Sequence, residues 1–461
     1  MHIVQFHIEN LFGDLKHTIS LKPEGLTFIH GPNGCGKTTV LRMIHIALEG
    51  RFTALRTIPF SYMDIQYDDD RLLRISRDEQ VQPQAQGLFY EPDEAPRSRT
   101  KLSIELLTGK HRVLHKFDPN AVEASEVEQR ISPPSVERFL PFLTRIGPRR
   151  WQDTRSGESI SFEQVVERYC DLLPGTQAKL PDWLISRILP KKTVFVKTQR
   201  LIHIAPSQKS YRGDEGSETR DVVKLYSDQI KDTIEKKLAE SAVQSQVRDR
   251  SFPTRLLERQ FPQNITQIQI EDLYKSTQER AQNLMNAGLL DQADQLPLPS
   301  RKINKMEREV LALYLSDFDD KLNAFTDLQQ QIEALVEIVG NKLRRKRFSV
   351  DRKKGFVFEP THGSAKDLKV TDLSSGEQHQ LVLFYELIFA SEGSSIYFID
   401  EPEISWHVEW QRKFIDDILK IQKLTGAIFL VATHSPQIIN NRRDLAVPLD
   451  GGISLDSARG A

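Results

Sequence analysis

A segment near the amino terminus has the residue types and spacing of a loop that binds phosphate groups. Residues 31–38 read Gly-Pro-Asn-Gly-Cys-Gly-Lys-Thr and match the pattern G-x-x-x-x-G-K-[ST] in full. The apolar stretch 26–29 before the loop predicts a buried strand, and apolar residues at helical spacing follow the loop. A strand, a glycine-rich loop and a helix in this order are the setting in which the pattern binds a nucleoside triphosphate.

The chemistry of this loop is shared between its backbone and two side chains. Gly34 and Gly36 let the chain curl so that successive N–H groups point at the phosphates. The ammonium group of Lys37 is expected to reach the β- and γ-phosphates, and the hydroxyl of Thr38 to hold Mg²⁺. ATP and Mg²⁺ are therefore the expected cofactors. The residues predicted to contact the nucleotide here are Asn33, Gly34, Cys35, Gly36, Lys37, Thr38 and Thr39.

A second group of polar residues comes from the carboxyl-terminal part of the chain. Residues 396–403 read Ile-Tyr-Phe-Ile-Asp-Glu-Pro-Glu, an apolar strand that ends in carboxylates. Asp400 is placed to complete the Mg²⁺ shell, and Glu401 is placed to act as the general base on the attacking water. An Asp-Glu pair after a strand could also be a plain helix start.

Two further segments flank this strand. Leu-Ser-Ser-Gly-Glu-Gln at 373–378 opens a predicted helix, and the apolar stretch 427–433 ends at His434. Alone, a Ser-Gly helix cap is common, and a histidine after a strand is usually structural. The order of the four segments, from the glycine loop to this histidine, is the more specific observation.

In this order the four segments resemble the head of ABC-type ATPases and, more closely, their RecF, SMC and OLD branch, whose members close as head-to-head dimers. The resemblance implies that Ser374 and Gly376 contact the γ-phosphate of the ATP held by the other subunit, a task that suits a helix N-terminus. It also implies that His434 is a catalytic switch residue that senses the γ-phosphate, and that residues 402–407 form the D-loop at the dimer seam. Gln199, after a predicted strand at 193–196, would be the Q-loop residue, although a solvated glutamine fits that position equally.

Several features of the sequence differ from those of other ABC-type ATPases, and they limit which members of the family it resembles. Gly376 lies 340 residues after Gly36 (376 − 36), farther apart than these motifs are in transporter ATPases. The inserted helices are too short for a chromosome-cohesion coiled coil, and no Cys-x-x-Cys is present for a zinc-hook apex. OLD nucleases continue into a Toprim domain, whereas only 27 residues follow His434 here (461 − 434). We therefore expect any nuclease to be a separate polypeptide.

Two strings, at 399–411 and 432–440, are similar to the ATPases of two-gene antiphage defence systems, first of the PARIS type and second of the Septu type. This resemblance implies a slow ATP-hydrolysing regulatory scaffold that forms a homo-oligomer built from head-to-head dimers. It implies a separate nuclease effector, of Toprim type or, for Septu, of HNH type. It also implies a phage-encoded trigger protein, such as a DNA mimic. The alternative is a RecF-like repair ATPase that binds DNA directly.

The predicted fold class is α/β, an ABC-type P-loop ATPase head with a mixed sheet, a parallel core and an inserted helical or coiled-coil arm. We assign residues 1–205 and 346–461 to the two lobes of the head and residues 206–345 to the arm. Within the arm, apolar residues recur every seven positions over about 33 residues (311–343), a heptad seam roughly 50 Å long. We expect its partner to be the earlier helix of the same chain, with a partner subunit as the alternative. Residues 120–190 are predicted to be helical.

Composition narrows the classes of partner. Lys and Arg number 63 and Asp and Glu number 64, so net charge favours neither nucleic acid nor membrane. Only two cysteines are present, which fits a reducing cytoplasm, and no signal peptide or membrane span is expected. A basic surface could still meet DNA or a DNA mimic, or could simply be a solvated helix end. The candidates are Lys342, Arg344, Arg345, Lys346, Arg347, residues 352–354, Arg149 and Arg150.

Overall fold

The protein is described by a computed structural model that covers residues 2–81, 98–119, 131, 135–154, 157–169, 173, 180–188, 192–196, 202–204, 219–258, 264–290, 301, 303–362, 368–369, 372–390, 395–404 and 406–449. In these ranges the strands are β1 (Ile3–Leu11), β2 (Leu15–Ser20), β3 (Leu26–His30), β4 (Tyr62–Tyr67), β5 (Arg71–Val81), β6 (Ser98–Thr108), β7 (Val113–Phe117), β8 (Leu143–Gly147), β9 (Arg150–Asp153), β10 (Ser159–Ser161), β11 (Thr193–Val196), β12 (Ile202–Ile204), β13 (Thr219–Asp221), β14 (Lys346–Asp351), β15 (Gly355–Pro360), β16 (Ile396–Asp400), β17 (Ile428–Thr433) and β18 (Ala446–Pro448).

The helices in the same ranges are α1 (Lys37–Leu48), α2 (Val136–Phe139), α3 (Phe162–Tyr169), α4 (Asp182–Ile188), α5 (Val222–Leu257), α6 (Gln267–Asn286), α7 (Lys305–Asn323), α8 (Thr326–Gly340), α9 (Ser375–Phe389), α10 (Val408–Thr425) and α11 (Pro436–Ile439). Two 3₁₀ turns cover Phe52–Thr57 and Arg443–Leu445. None of the helices in these ranges is long and apolar enough to cross a membrane.

Two sheets build the head. One is parallel, in the order β11-β16-β17-β3-β18, and the other is antiparallel, in the order β2-β1-β4-β5-β6-β7. A parallel sheet is covered on both faces, and all five residues of its inner strand β16, including Asp400, are accordingly buried. This arrangement confirms the predicted α/β class, with a parallel core and an antiparallel lobe.

The parallel sheet separates two apolar cores. Successive residues of β16 face opposite sides, so that Tyr397 and Ile399 join the core under α9 and α10, whereas Ile396 and Phe398 join the core under α1 and the antiparallel sheet. Each large apolar side chain buried in this way contributes about 1.5–3 kcal/mol relative to an exposed one. The strand that carries Asp400 is therefore held firmly from both faces.

The prediction of a helical region at 120–190 is wrong for much of what the structure describes there. The strands β8, β9 and β10 form a three-stranded antiparallel sheet in the order β10-β9-β8. Along β9, exposed and buried residues alternate, which is the period of a half-buried strand. Trp151 and Ile160 anchor a small core of their own, and the helices α2 and α3 around it are short.

The arm differs from the single long helix that the heptad seam predicts. The seam is divided between α7 and α8, with the buried Phe325 at the junction. The helix α7 packs within the same chain, as predicted, against α5 and also against α6. Arg255 on α5 binds the carboxylate of Asp317 on α7 with two hydrogen bonds of 2.6 Å. The second half of the seam, α8, packs instead on α9 and α10 of the head.

Candidate nucleotide site

The phosphate loop joins the end of β3 to the start of α1. Gly34 and Gly36 have φ values of 86° and 84°, in the left-handed region that side chains rarely adopt. At Gly36 an added Cβ would also lie 3.1 Å from Cδ2 of Leu11. Both glycines are therefore required by the backbone conformation of the loop, and Gly36 is also required by its close contact with β1.

The side chain of Lys37 lies over this loop and is almost fully buried, at 5% exposure. Its Nζ donates hydrogen bonds to the carbonyl oxygens of Gly31 (2.9 Å) and Pro32 (2.8 Å). Because both acceptors belong to the loop itself, the ammonium group is already held where phosphate oxygens would replace them.

Thr38 and Asp400 come from opposite ends of the chain and meet at the edge of the parallel sheet. The hydroxyl of Thr38 donates a hydrogen bond of 3.1 Å to Oδ1 of Asp400. Burial raises the pKa of Asp400, the hydrogen bond from Thr38 opposes that rise, and the negative charges of Glu401 and Glu403 add to it. A partly buried carboxylate beside two others favours a bound cation.

The donor set at this position fits Mg²⁺. Neighbouring oxygen ligands on an octahedral Mg²⁺ are about 3 Å apart, close to the separation of Thr38 Oγ1 and Asp400 Oδ1. In the described ranges no group of three or more His, Cys, Asp or Glu side chains is arranged to hold a metal. The protein would thus supply two ligands, and phosphate oxygens and water would supply the rest, as Mg²⁺ commonly requires.

The two residues predicted to be catalytic lie in contact. Nε2 of His434 is 3.2 Å from Oε1 of Glu401, and both side chains are about one-third exposed. Glu401 has a positive φ of 45°, and its N–H donates to the carbonyl of Ala432 (2.9 Å). The structure therefore brings together Lys37, Thr38, Asp400, Glu401 and His434 at one edge of the sheet.

The residues of the predicted signature lie at the start of α9 and are held there by a local network. Ser374 caps the helix: its Oγ accepts from the N–H of Glu377 (3.3 Å), and Oε2 of Glu377 accepts from the N–H of Ser374 (2.7 Å). Lys346 donates to the same carboxylate at 2.8 Å. Burial would raise the pKa of Glu377, but the hydrogen bonds from Lys346 and Ser374 outweigh it and lower the pKa.

No hydrogen bond between described residues links Ser374 or Gly376 to residues 31–39. The predicted Q-loop residue, Gln199, lies outside the described residues.

Two members of the predicted basic surface are not free to bind a partner. Lys342 is buried, at 3% exposure, and its Nζ donates to the carbonyl of Ile338 and to the carboxylate of Asp417. Lys346 is engaged with Glu377, as described above. Arg344 remains exposed and lies 3.2 Å from Glu409. The charge run at 342–347 is thus partly an internal anchor, which a sequence cannot show when the acidic partners lie far along the chain.

Two residues at the site carry no clear sequence signal. Phe12, in the turn between β1 and β2, is 48% exposed and lies against the phosphate loop, with its Cε2 3.6 Å from the position of a Cβ on Gly36. Glu403 accepts hydrogen bonds from the segment that carries His434. A cavity of about 500 Å³ is bordered by Gly31, His434 and Arg443, and residues 33–39 are not among its lining residues.

Two solved structures cover 99% of the chain at 12% identity and a TM-score of 0.33. One is the Smc head domain with an extended coiled coil bound to the C-terminal domain of ScpA from Pyrococcus furiosus, of which 97% is covered. The other is an Smc head bound to the C-winged helix domain of ScpA, of which 99% is covered. A comparison with curated proteins gave no match.

The profile of the AAA_15 family, described as an AAA ATPase domain, matches residues 1–439. The match extends from β1, ahead of the phosphate loop, to α11, beyond the histidine strand. The chain therefore belongs to the AAA_15 family of AAA ATPase domains.

Proposed function

We propose that this ATPase hydrolyses ATP at the edge of its parallel sheet and acts as the regulatory scaffold of a two-gene antiphage defence system, holding a separate nuclease. The observation that carries the hydrolytic part is the contact of Thr38 with Asp400 beside the pair formed by Glu401 and His434. A hydroxyl, a carboxylate, a base and an imidazole at the end of a phosphate loop are the groups that phosphoryl transfer needs.

In this proposal Lys37 exchanges its two carbonyl acceptors for oxygens of the β- and γ-phosphates. Thr38 and Asp400 hold Mg²⁺, which neutralises charge on the phosphates when it is bound. The carboxylate of Glu401 accepts the proton of the attacking water, and His434 holds that carboxylate in orientation across 3.2 Å. The exposed ring of Phe12 offers a face on which the adenine ring of ATP can stack.

The second half of the site comes from another copy of the chain. Ser374 stands at the N-terminus of α9, where backbone N–H groups and the helix dipole attract an anion. We propose that two heads close over the nucleotide so that this helix start meets the γ-phosphate on the other copy. Slow turnover suits such a switch, because the γ-phosphate then serves as a ligand that holds two surfaces together.

The decisive test of the site compares Glu401→Gln with Lys37→Ala. We expect Glu401→Gln to bind ATP, to lose on the order of 100-fold or more in turnover, and to accumulate as a closed dimer, because general-base catalysis contributes about 10²–10⁴-fold. We expect Lys37→Ala to lose nucleotide binding and to show no dimer induced by ATP. ATP hydrolysis and native mass with and without ATP are the measurements. Hydrolysis by Glu401→Gln at the wild-type rate would rule out this residue as the base.

The defence role has a separate test. Co-expression with the product of the adjacent gene should give a stable complex, and that product should have a nuclease fold. Affinity of the isolated protein for duplex DNA at physiological salt is measured in parallel. Tight DNA binding without a nuclease partner would favour the RecF-like repair ATPase instead.

A further inference from the structure

We infer that Glu403 is a positioning residue, whose carboxylate fixes the segment that carries His434 against the turn that carries Glu401. The inference rests on the proposed function, since it concerns the geometry of the proposed base and switch histidine.

One oxygen of Glu403 is the shared acceptor for three successive residues. Its Oε1 accepts from the hydroxyl of Thr433 (2.6 Å), from the N–H of His434 (2.9 Å) and from the N–H of Ser435 (3.2 Å). The residue on either side of His434 and the histidine backbone itself are thus held by one carboxylate oxygen.

The location of this contact explains why it is needed. The strands β16 and β17 are paired up to Asp400 and Ala432, and the N–H of Glu401 makes one more bond to Ala432. Beyond that point the chain after β16 turns away at the positive φ of Glu401. Regular pairing between the two strands therefore stops just before the two catalytic side chains, and Glu403 makes the next connection.

A second connection closes the same loop from the other side. The hydroxyl of Ser435 donates to Oε1 of Gln411 on α10 (2.6 Å), and Nε2 of Gln411 donates to the carbonyl of Trp406 (3.2 Å). Thr433 is fully buried, so that loss of the hydrogen bond to Glu403 would leave its hydroxyl without water as a replacement acceptor, which costs free energy. The turn at 401–404, Trp406 and the segment 433–435 form one hydrogen-bonded unit.

The second oxygen of Glu403 bears on two explanations of how this residue acts, which the variant Glu403→Gln can separate. Its Oε2 is buried and has no hydrogen-bond partner among the residues that the structure describes. If Glu403 acts by accepting hydrogen bonds, an amide oxygen at the same place should serve. If it acts through negative charge beside Asp400, an amide should fail.

The test measures kcat and KM for MgATP in Glu403→Ala, Glu403→Gln and Thr433→Val, with Glu337→Ala as a matched control in an exposed ion pair on α8. Loss of the three-donor contact should lower kcat on the order of 100-fold in Glu403→Ala, since small misplacements of catalytic groups have effects of that size. KM should change little, because Lys37, Thr38 and Asp400 are untouched. Glu403→Gln should recover most of kcat, and Thr433→Val, which removes one donor, should lose less than Glu403→Ala. Glu337→Ala should match the wild type.

Three outcomes would overturn the inference. They are an unchanged kcat in Glu403→Ala, a rise in KM without a fall in kcat, and a Glu403→Gln protein as impaired as Glu403→Ala. If Glu403→Ala does not fold, Thr433→Val decides, because an unchanged kcat there would also overturn the inference. A wild-type protein that does not hydrolyse ATP would contradict the proposed function, whereas an active wild type with an equally active Glu403→Ala would contradict this inference alone.

Discussion

The phosphate side and the signature side of the proposed site are held in place by different means. Asp400 ends β16, His434 directly follows β17, and Lys37 begins α1 after the loop that follows β3, so that backbone pairing in the parallel sheet sets their positions. Ser374 instead follows the arm and the hairpin β14–β15, and side-chain ion pairs hold its surroundings. The phosphate side therefore depends on backbone pairing in the sheet, and the signature side depends on ion pairs between side chains.

The largest expected effect comes from the buried ion pair behind the signature helix. In Lys342→Ala the carboxylate of Asp417 loses its buried partner, and we expect a loss of about 3–5 kcal/mol in the free energy of unfolding. The double variant Lys342→Met with Asp417→Leu should recover most of it, because no charge is then left buried. Urea unfolding measures both. A loss below about 1 kcal/mol, the value of an exposed pair, would show that charges do not anchor this side.

A smaller effect is expected at the N-terminal cap of α9, which can be compared with a cap of the same type on α6. Ser374→Ala removes a capping box and should cost about 1 kcal/mol of stability. Thr266→Ala removes the equivalent capping box of α6 in the arm and should cost a similar amount. ATP turnover and dimer formation should fall only in Ser374→Ala. Equal turnover in the two variants would reduce Ser374 to a structural cap.

The smallest expected effect is a pH dependence on the phosphate side. Burial lowers the pKa of His17 on β2, which lies close to the phosphate loop and is 2% exposed. The folded protein therefore disfavours protonation of this ring, whereas the unfolded chain takes up a proton as the pH falls through about 6.5. Stability from this residue is therefore present above that pH and is lost below it.

The thermal midpoint of unfolding should accordingly be lower at pH 5.5 than at pH 7.5, two conditions that bracket a pH of about 6.5. The variant His17→Gln should show a smaller difference in thermal midpoint between these two pH values, whatever its effect on stability at neutral pH. The exposed His362 provides the control, and His362→Gln should leave the slope as in the wild type. An unchanged slope in His17→Gln would remove the histidine from the explanation.

The sequence is most informative where local conformation fixes residue spacing. The glycine loop, the strand before it and the strand ending at Asp400 are predictable, because left-handed glycines and buried β-runs leave few alternatives. The arm is misread, because the heptad positions stay in phase through Phe325 although the helix ends at Asn323. Lys342 and Glu403 escape prediction for another reason. Their partners are 75 and 30 residues away, and only the folded chain brings them together.

The backbone of Glu401 has one more consequence. Its left-handed φ of 45° costs an ordinary residue about 1–2 kcal/mol, and glycine would avoid most of that cost. The chain thus keeps a side chain where its own main chain disfavours one. In the proposed mechanism, glycine at this position would relieve the strain and would remove the general base, so that durability and activity oppose each other at a single residue.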